Sequence, residues 1–179
     1  MENRKSLRDV LIIIATTFIV LLIFIATIIA ISANKNSYKT IIITDLNEKY
    51  SGKIDIVATD IKKIKVLEDD EEIYYVGVRF EVYNNSNLTF GVRSTQFSVY
   101  VDDVSLYSID FAEKYFDKDD ENLFAGDLAP GKKTMGYEVA KVQTDSKTVE
   151  FVFDDPDYGD IIKFVFDVPK EVENYASNN

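Results

Sequence analysis

The residues in this sequence whose types and spacing could do chemistry are carboxylates. "DKDDEN" sets Asp117, Asp119 and Glu121 at alternate positions, and "DDPDYGD" gathers Asp154, Asp155, Asp157 and Asp160 around a turn. Alternating oxygen ligands on a short loop suit calcium, which takes about six to eight oxygens. These seven side chains are therefore the candidate metal ligands, and calcium is the one candidate cofactor. The full EF-hand pattern fails, because Asn122 stands where the loop needs glycine and Leu128 where it needs a bidentate glutamate. The expected reading of both runs is a solvated acidic loop, with calcium as the alternative.

The chain has no histidine and no cysteine, which removes most general-base, thiol and zinc chemistry. Carboxylates, lysine, serine and tyrosine remain. Ser86, Ser94 and Ser98 have no base at a recognisable spacing, and the lysines fall on polar faces. No catalytic residue is expected, and the chain is read as not an enzyme; the competing class is an envelope enzyme working with carboxylates. Tyr50, Tyr74, Tyr83, Tyr100 and Tyr107 could form an exposed aromatic patch for protein or glycan contact. Asn84-Asn85-Ser86 and Asn87-Leu88-Thr89 satisfy the glycosylation sequon but read as turn residues.

These groups must be carried by elements, and the first is an anchor. Val10 to Ile31 is apolar throughout, without charge or proline. As a helix it spans roughly 33 Å, enough for a hydrocarbon core of about 30 Å. Arg4, Lys5 and Arg8 in the tail 1–9 predict a cytoplasmic N-terminus and an extracellular remainder. Ala30-Ile31-Ser32 offers a small-x-small cleavage site, which would make the chain a secreted binding protein. The apolar run exceeds an ordinary signal core of about 7–15 residues, so an uncleaved single-pass span in the lipid bilayer is the expectation. Arg4, Lys5, Arg8 and Lys35 against Glu2 and Asp9 give residues 1–35 a net +2, so the other 144 residues carry −13 of the total −11. That charge repels phosphate backbones and excludes nucleic acid as a natural partner.

Residues 32–52 read as a juxtamembrane connector in which Ile41, Ile42 and Ile43 form an edge strand or a packing plug. From residue 53 the apolar period becomes two. Val76, Val78, Phe80 and Val82 share one face, as do Phe97, Val99 and Val101; Val149, Phe151 and Phe153; and Ile162, Phe164, Phe166 and Val168. "NNSN", "VDD", "LAPGKK" and "DDPDYGD" supply the turns. After "NNSN", Leu88 and Phe90 are expected to re-enter the core. A short helix using Phe111, Tyr115 and Phe116 would cross between strands. Seven or eight short strands predict an all-β, immunoglobulin-like antiparallel β-sandwich over 53–169, preceded by one transmembrane helix over 10–31 and followed by a flexible tail over 170–179.

"YNNSN", "STQFSVYVDD", "LFAGDLAPGKKTMGYEVA", "KTVEFVF" and "IIKFVFDVP", in that order, resemble a bacterial membrane- or lipid-anchored family carrying an immunoglobulin-like domain of unknown function, of the DUF4352 type. The resemblance covers about two-thirds of the chain. It implies an envelope module that binds or scaffolds an unidentified protein or glycan without turnover. The lipidated cysteine of many relatives is absent, which changes the anchor, and their Asp-Gly hairpin is Asp102-Asp103 here, which leaves that turn type open.

Overall fold

Alternating apolar residues fold as strands when one side can be covered, and here two sheets cover each other. The computed structural model describes residues 12, 14, 17–25, 38–106, 112–116, 125–154 and 159–175, in two units, Met1–Ser37 and Tyr38–Asn179. In the first unit residues 17–25 are helical, inside the apolar segment 10–31. Among the described residues no helix is long and apolar enough to cross a membrane, and the rest of the expected span lies outside them.

The second unit is a β-sandwich. Its strands are β1 (Thr40–Ile43), β2 (Lys49–Ser51), β3 (Ile54–Glu68), β4 (Glu71–Asn84), β5 (Phe90–Arg93), β6 (Phe97–Val101), β7 (Val104–Leu106), β8 (Ala125–Leu128), β9 (Lys133–Val142), β10 (Thr148–Phe153), β11 (Ile161–Asp167) and β12 (Glu173–Asn174). One sheet has the order β1-β11-β10-β6-β7 and the other β12-β3-β4-β9, with β2 beside β3; β5 and β8 form a separate pair. Val76, Val78, Phe80 and Val82 meet Phe97, Val99, Val149, Phe151, Phe153, Ile162 and Phe164 across the interior, and none is more than 6% exposed. The Phe80 ring sits 4.9 Å from Phe164, 5.0 Å from Phe97 and 5.7 Å from Phe151, centre to centre. Each such side chain contributes about 1.5–3 kcal/mol through burial.

A smaller cluster of Ile64, Val66, Tyr75, Tyr137 and Val139 lies on the outer face of β3, β4 and β9. A 3-10 turn, Glu113–Tyr115, together with Phe116 and Tyr175 packs against it. This turn takes the place of the expected crossover helix, and Phe111 lies outside the described residues.

Several expectations change. The sandwich begins at Thr40 rather than residue 53, because β1 pairs in parallel with β11 and β2 pairs with β3. The segment expected to be a flexible tail pairs Glu173 and Asn174 in parallel with Ile64 and Lys65, and the Tyr175 ring packs 4.9 Å from Tyr115. The sandwich is therefore not wholly antiparallel. Asp102 and Asp103 have φ of 48° and 67°, and Asp69 and Asp70 have 50° and 68°, so both two-residue hairpins are of the type I′ kind, where aspartate tolerates the left-handed region. Leu88 is 70% exposed and does not re-enter the core. Asn84 is buried instead: its Nδ2 donates to the carbonyls of Leu88 and Leu128, both at 2.8 Å, while its Oδ1 accepts from the Ser86 N–H and hydroxyl. The turn is thus built around a satisfied polar side chain rather than an apolar plug.

Candidate ligand-binding cleft

One slip of register decides what the end of the sandwich presents. In β3, Ile54, Ile56 and Ala58 pair with Asn84, Val82 and Phe80 of the inner face; between Ala58 and Asp60 the pairing shifts, and Ile61 and Lys63 then pair with Val78 and Val76. Side chains alternate with a period of two, so the extra residue at Thr59 exchanges the two faces of the strand. Without it Lys63 would point outward. With it, a lysine continues the inner face beyond the apolar core, and it is only 5% exposed. Its Nζ donates to the Thr144 carbonyl at 3.2 Å and stands 5.5 Å from the centre of the Tyr74 ring.

Lys63 and Tyr74 form the floor of a cleft of about 600 Å³, whose walls come from Thr144 to Lys147 of the β9–β10 turn and from Asp167 to Lys170 and Val172 after β11. That size falls in the range of about 300–1,000 Å³ used for small-molecule sites. Hydrogen bonds hold the walls. The Gln143 N–H donates to Ser146 Oγ at 3.0 Å, the Val168 N–H donates to the Lys147 carbonyl at 2.7 Å, and Asp102 Oδ1 accepts from the N–H groups of Lys147 and Thr148. The backbone donors of Thr148 and Lys147 hold the Asp102 carboxyl below its ordinary range. The β6–β7 hairpin thereby fixes the wall of a cleft to which it contributes no side chain.

The residues predicted as metal ligands do not form this site. Asp117, Asp119, Glu121, Asp155 and Asp157 lie outside the described residues. Asp160 is occupied structurally: Oδ1 accepts from the Lys39 N–H at 3.2 Å and Oδ2 from the Tyr50 hydroxyl at 3.3 Å. Burial, and then the Asp160 charge, raise the Tyr50 pKa. Asp154 is exposed, and its N–H donates to the Gln96 carbonyl. Among the described residues no three metal-ligating side chains converge.

The expected tyrosine patch is also dispersed. Tyr74 and Tyr83 stand nine positions apart on β4, at opposite ends of the hairpin; Tyr50 packs on the core, Tyr100 pairs across to Glu150, and Tyr107 lies outside the described residues. The sequence did carry a sign of the site it concealed. In "IDIVATDIKKIKV" the inward apolar phase runs through Ile54, Ile56 and Ala58 and then shifts by one residue to Ile61, while Ile64 and Val66 serve the outer cluster. That broken phase is the mark of a bulge, and it makes Lys63 an inward residue.

No curated protein matches the chain. Among solved structures it is similar to ycdA, a candidate lipoprotein of Bacillus subtilis subsp. subtilis str. 168, with a TM-score of 0.53 and 17% identity over 69% of this chain and 39% of that one. It therefore spans about two-fifths of that protein. It is also similar to the yjhA protein of Bacillus subtilis, with a TM-score of 0.50 and 15% identity over 71% of this chain and 100% of that one. Both likenesses concern the fold. Residues 37–162, which run from the approach to β1 through the start of β11, match the family described as "Domain of unknown function (DUF4352)", and the chain belongs to that family.

Proposed function

We propose that this protein is a membrane-anchored, extracellular, immunoglobulin-like module that binds or scaffolds a partner at the bacterial cell envelope without chemical turnover. Segment 10–31 anchors it as a single pass with the N-terminus in the cytoplasm, a reading supported by the apolar run and the basic tail. The lipoprotein description of a fold neighbour supports envelope attachment of such sandwiches. This chain has no cysteine to carry a lipid, so the attachment falls to the apolar segment.

The observation that carries the binding role is the cleft, in which Lys63 and Tyr74 of paired strands meet the Thr144 carbonyl of the β9–β10 turn. It lies at the C-terminal end of β11, whereas the chain enters the sandwich at the other end, where Lys39 meets Asp160 and Ile161. A partner can reach the cleft without meeting the anchored end of the domain. The test is a photo-crosslinking side chain placed at Val172 on the cleft rim or at the exposed Leu88 at the opposite end of the sandwich, in living cells. The expected result is a defined adduct from Val172 and none from Leu88, removed by protease added to intact cells. Equal labelling at both positions, an adduct out of reach of protease, or acid-dependent turnover by the purified protein would overturn the reading.

A further inference from the structure

We infer that the cleft recognises an oxyanion, a carboxylate or phosphate group borne by a larger molecule, seated on the Lys63 ammonium beside Tyr74. This rests on the reading of the cleft as a binding site and gives its ligand a chemical class. A lysine ammonium has three donors. The partners described for Lys63 are one carbonyl oxygen and one aromatic face. Lys49, Lys62, Lys65, Lys133 and Lys163 each stand within 4.0 Å of a carboxylate, although all are more exposed than Lys63. Among the described residues no carboxylate comes that close to Lys63. The most buried of these cations is therefore the one without a counter-ion, the reverse of what desolvation favours.

The surroundings support the same sign. Lys147 and Lys170 also line the cleft, against Asp145 and Asp167, so a local excess of positive charge occurs in a chain of net −11. A metal cation would be repelled there. A polyanion would be repelled by the rest of the domain, so a single anionic group is favoured. About 600 Å³ is far larger than one carboxylate or phosphate, and Val168, Pro169 and Val172 offer apolar surface to the rest of the ligand. Charge-assisted hydrogen bonds from a desolvated ammonium would provide the orienting contact.

The experiment uses the full chain, 15N-labelled, in non-ionic detergent micelles. It is titrated at constant pH with sodium phosphate, sodium acetate or sodium chloride at matched ionic strength. The expected result is a saturable movement of the Lys63 Nζ resonance and of the Thr144–Lys147 amides with phosphate, acetate or both, beyond the effect of chloride. Whichever probe acts identifies the source of the oxyanion. In Lys63→Met the dissociation constant should weaken by about tenfold or more. Shifts that chloride reproduces, or that persist in Lys63→Met, overturn the proposal. So do amide shifts that leave the Lys63 Nζ resonance in place, a readout that needs no variant. If the probes fail while Val172 still captures a partner in cells, the oxyanion assignment falls and the binding role stands; if both fail, both fall.

Discussion

Glu138 lies on the inner face of β9 opposite Val78, 4% exposed, and its Oε1 has no hydrogen-bond partner among the described residues. Burial pushes its pKa from 4.5 up to about 8; a hydrogen bond with Ser94 opposes the rise, and the charge of Glu113 adds to it. The folded chain therefore holds a proton that the unfolded chain releases between pH 4.5 and 8. The contribution of this group is fully present below pH 4.5 and is lost as pH rises through about 8, with a slope of about 1.4 kcal/mol per unit. Glu138→Gln keeps the shape and removes the titration. Urea unfolding at pH 5 and pH 8 should show the variant gaining on the wild type by about 3.5 kcal/mol over that interval; parallel pH profiles would contradict the assignment. Asn84 is the contrasting case, a buried polar side chain whose bonds are complete. Neither fate was legible in the sequence. Glu138 follows Tyr137 in a run that alternates like any strand, and Asn84 sits in a string of turn formers. The burial of Glu138 depends on strands distant in the chain, of which local pattern carries no record; Asn84 finds Ser86 and Leu88 nearby, but its burial and its bond to Leu128 need a strand 44 residues away.

The β3–β4 hairpin is the element that joins core, cleft and outer cluster. Its inner face was legible because Val76, Val78, Phe80 and Val82 alternate without interruption, and its Asp69-Asp70 turn has residues that accept positive φ. The outer face was not, because it is covered by a crossover whose packing is set by a glycine. A β-carbon added at Gly77 would stand 2.5 Å from the Phe116 ring. Gly77→Ala should therefore cost about 1–3 kcal/mol, the usual range for overpacking. The same substitution in a Phe116→Ala background should cost clearly less, since the ring it meets is gone. Chemical unfolding of the four proteins of this cycle checks the claim, and strictly additive costs would refute it. Strand β12 escaped the sequence, and β1 was legible only as an edge strand or a packing plug without its partner, for a related reason. Thr40–Ile43 and Glu173–Asn174 are held by parallel partners more than a hundred residues away, and Glu173 and Asn174 have no strand propensity of their own.

The sandwich and its approach carry −13, and self-repulsion on that scale weakens a compact state. Raising sodium chloride should raise the melting temperature as the Debye length shrinks from about 10 Å toward about 3 Å. Calcium chloride at matched ionic strength should do the same and no more if the loops holding Asp117–Glu121 and Asp154–Asp160 are solvated. A rise specific to calcium would restore the metal reading, since a ligand that prefers the folded state stabilises it by mass action. The two-layer architecture was legible at this scale because strand faces and turns recur through most of the chain; the cleft was not, since a bulge, the β9–β10 turn and the segment after β11 had to meet. Strand β1 runs parallel to β11, and the preceding chain leaves its first residue at the end of the sandwich away from the cleft. A pull between a molecule held in the cleft and the preceding chain would be directed along both strands in opposite senses. Thr40 to Ile43 would then share the force in shear with Ile161 to Phe164 rather than unzip pair by pair. Under such a load the first strand would act as the rivet of the domain.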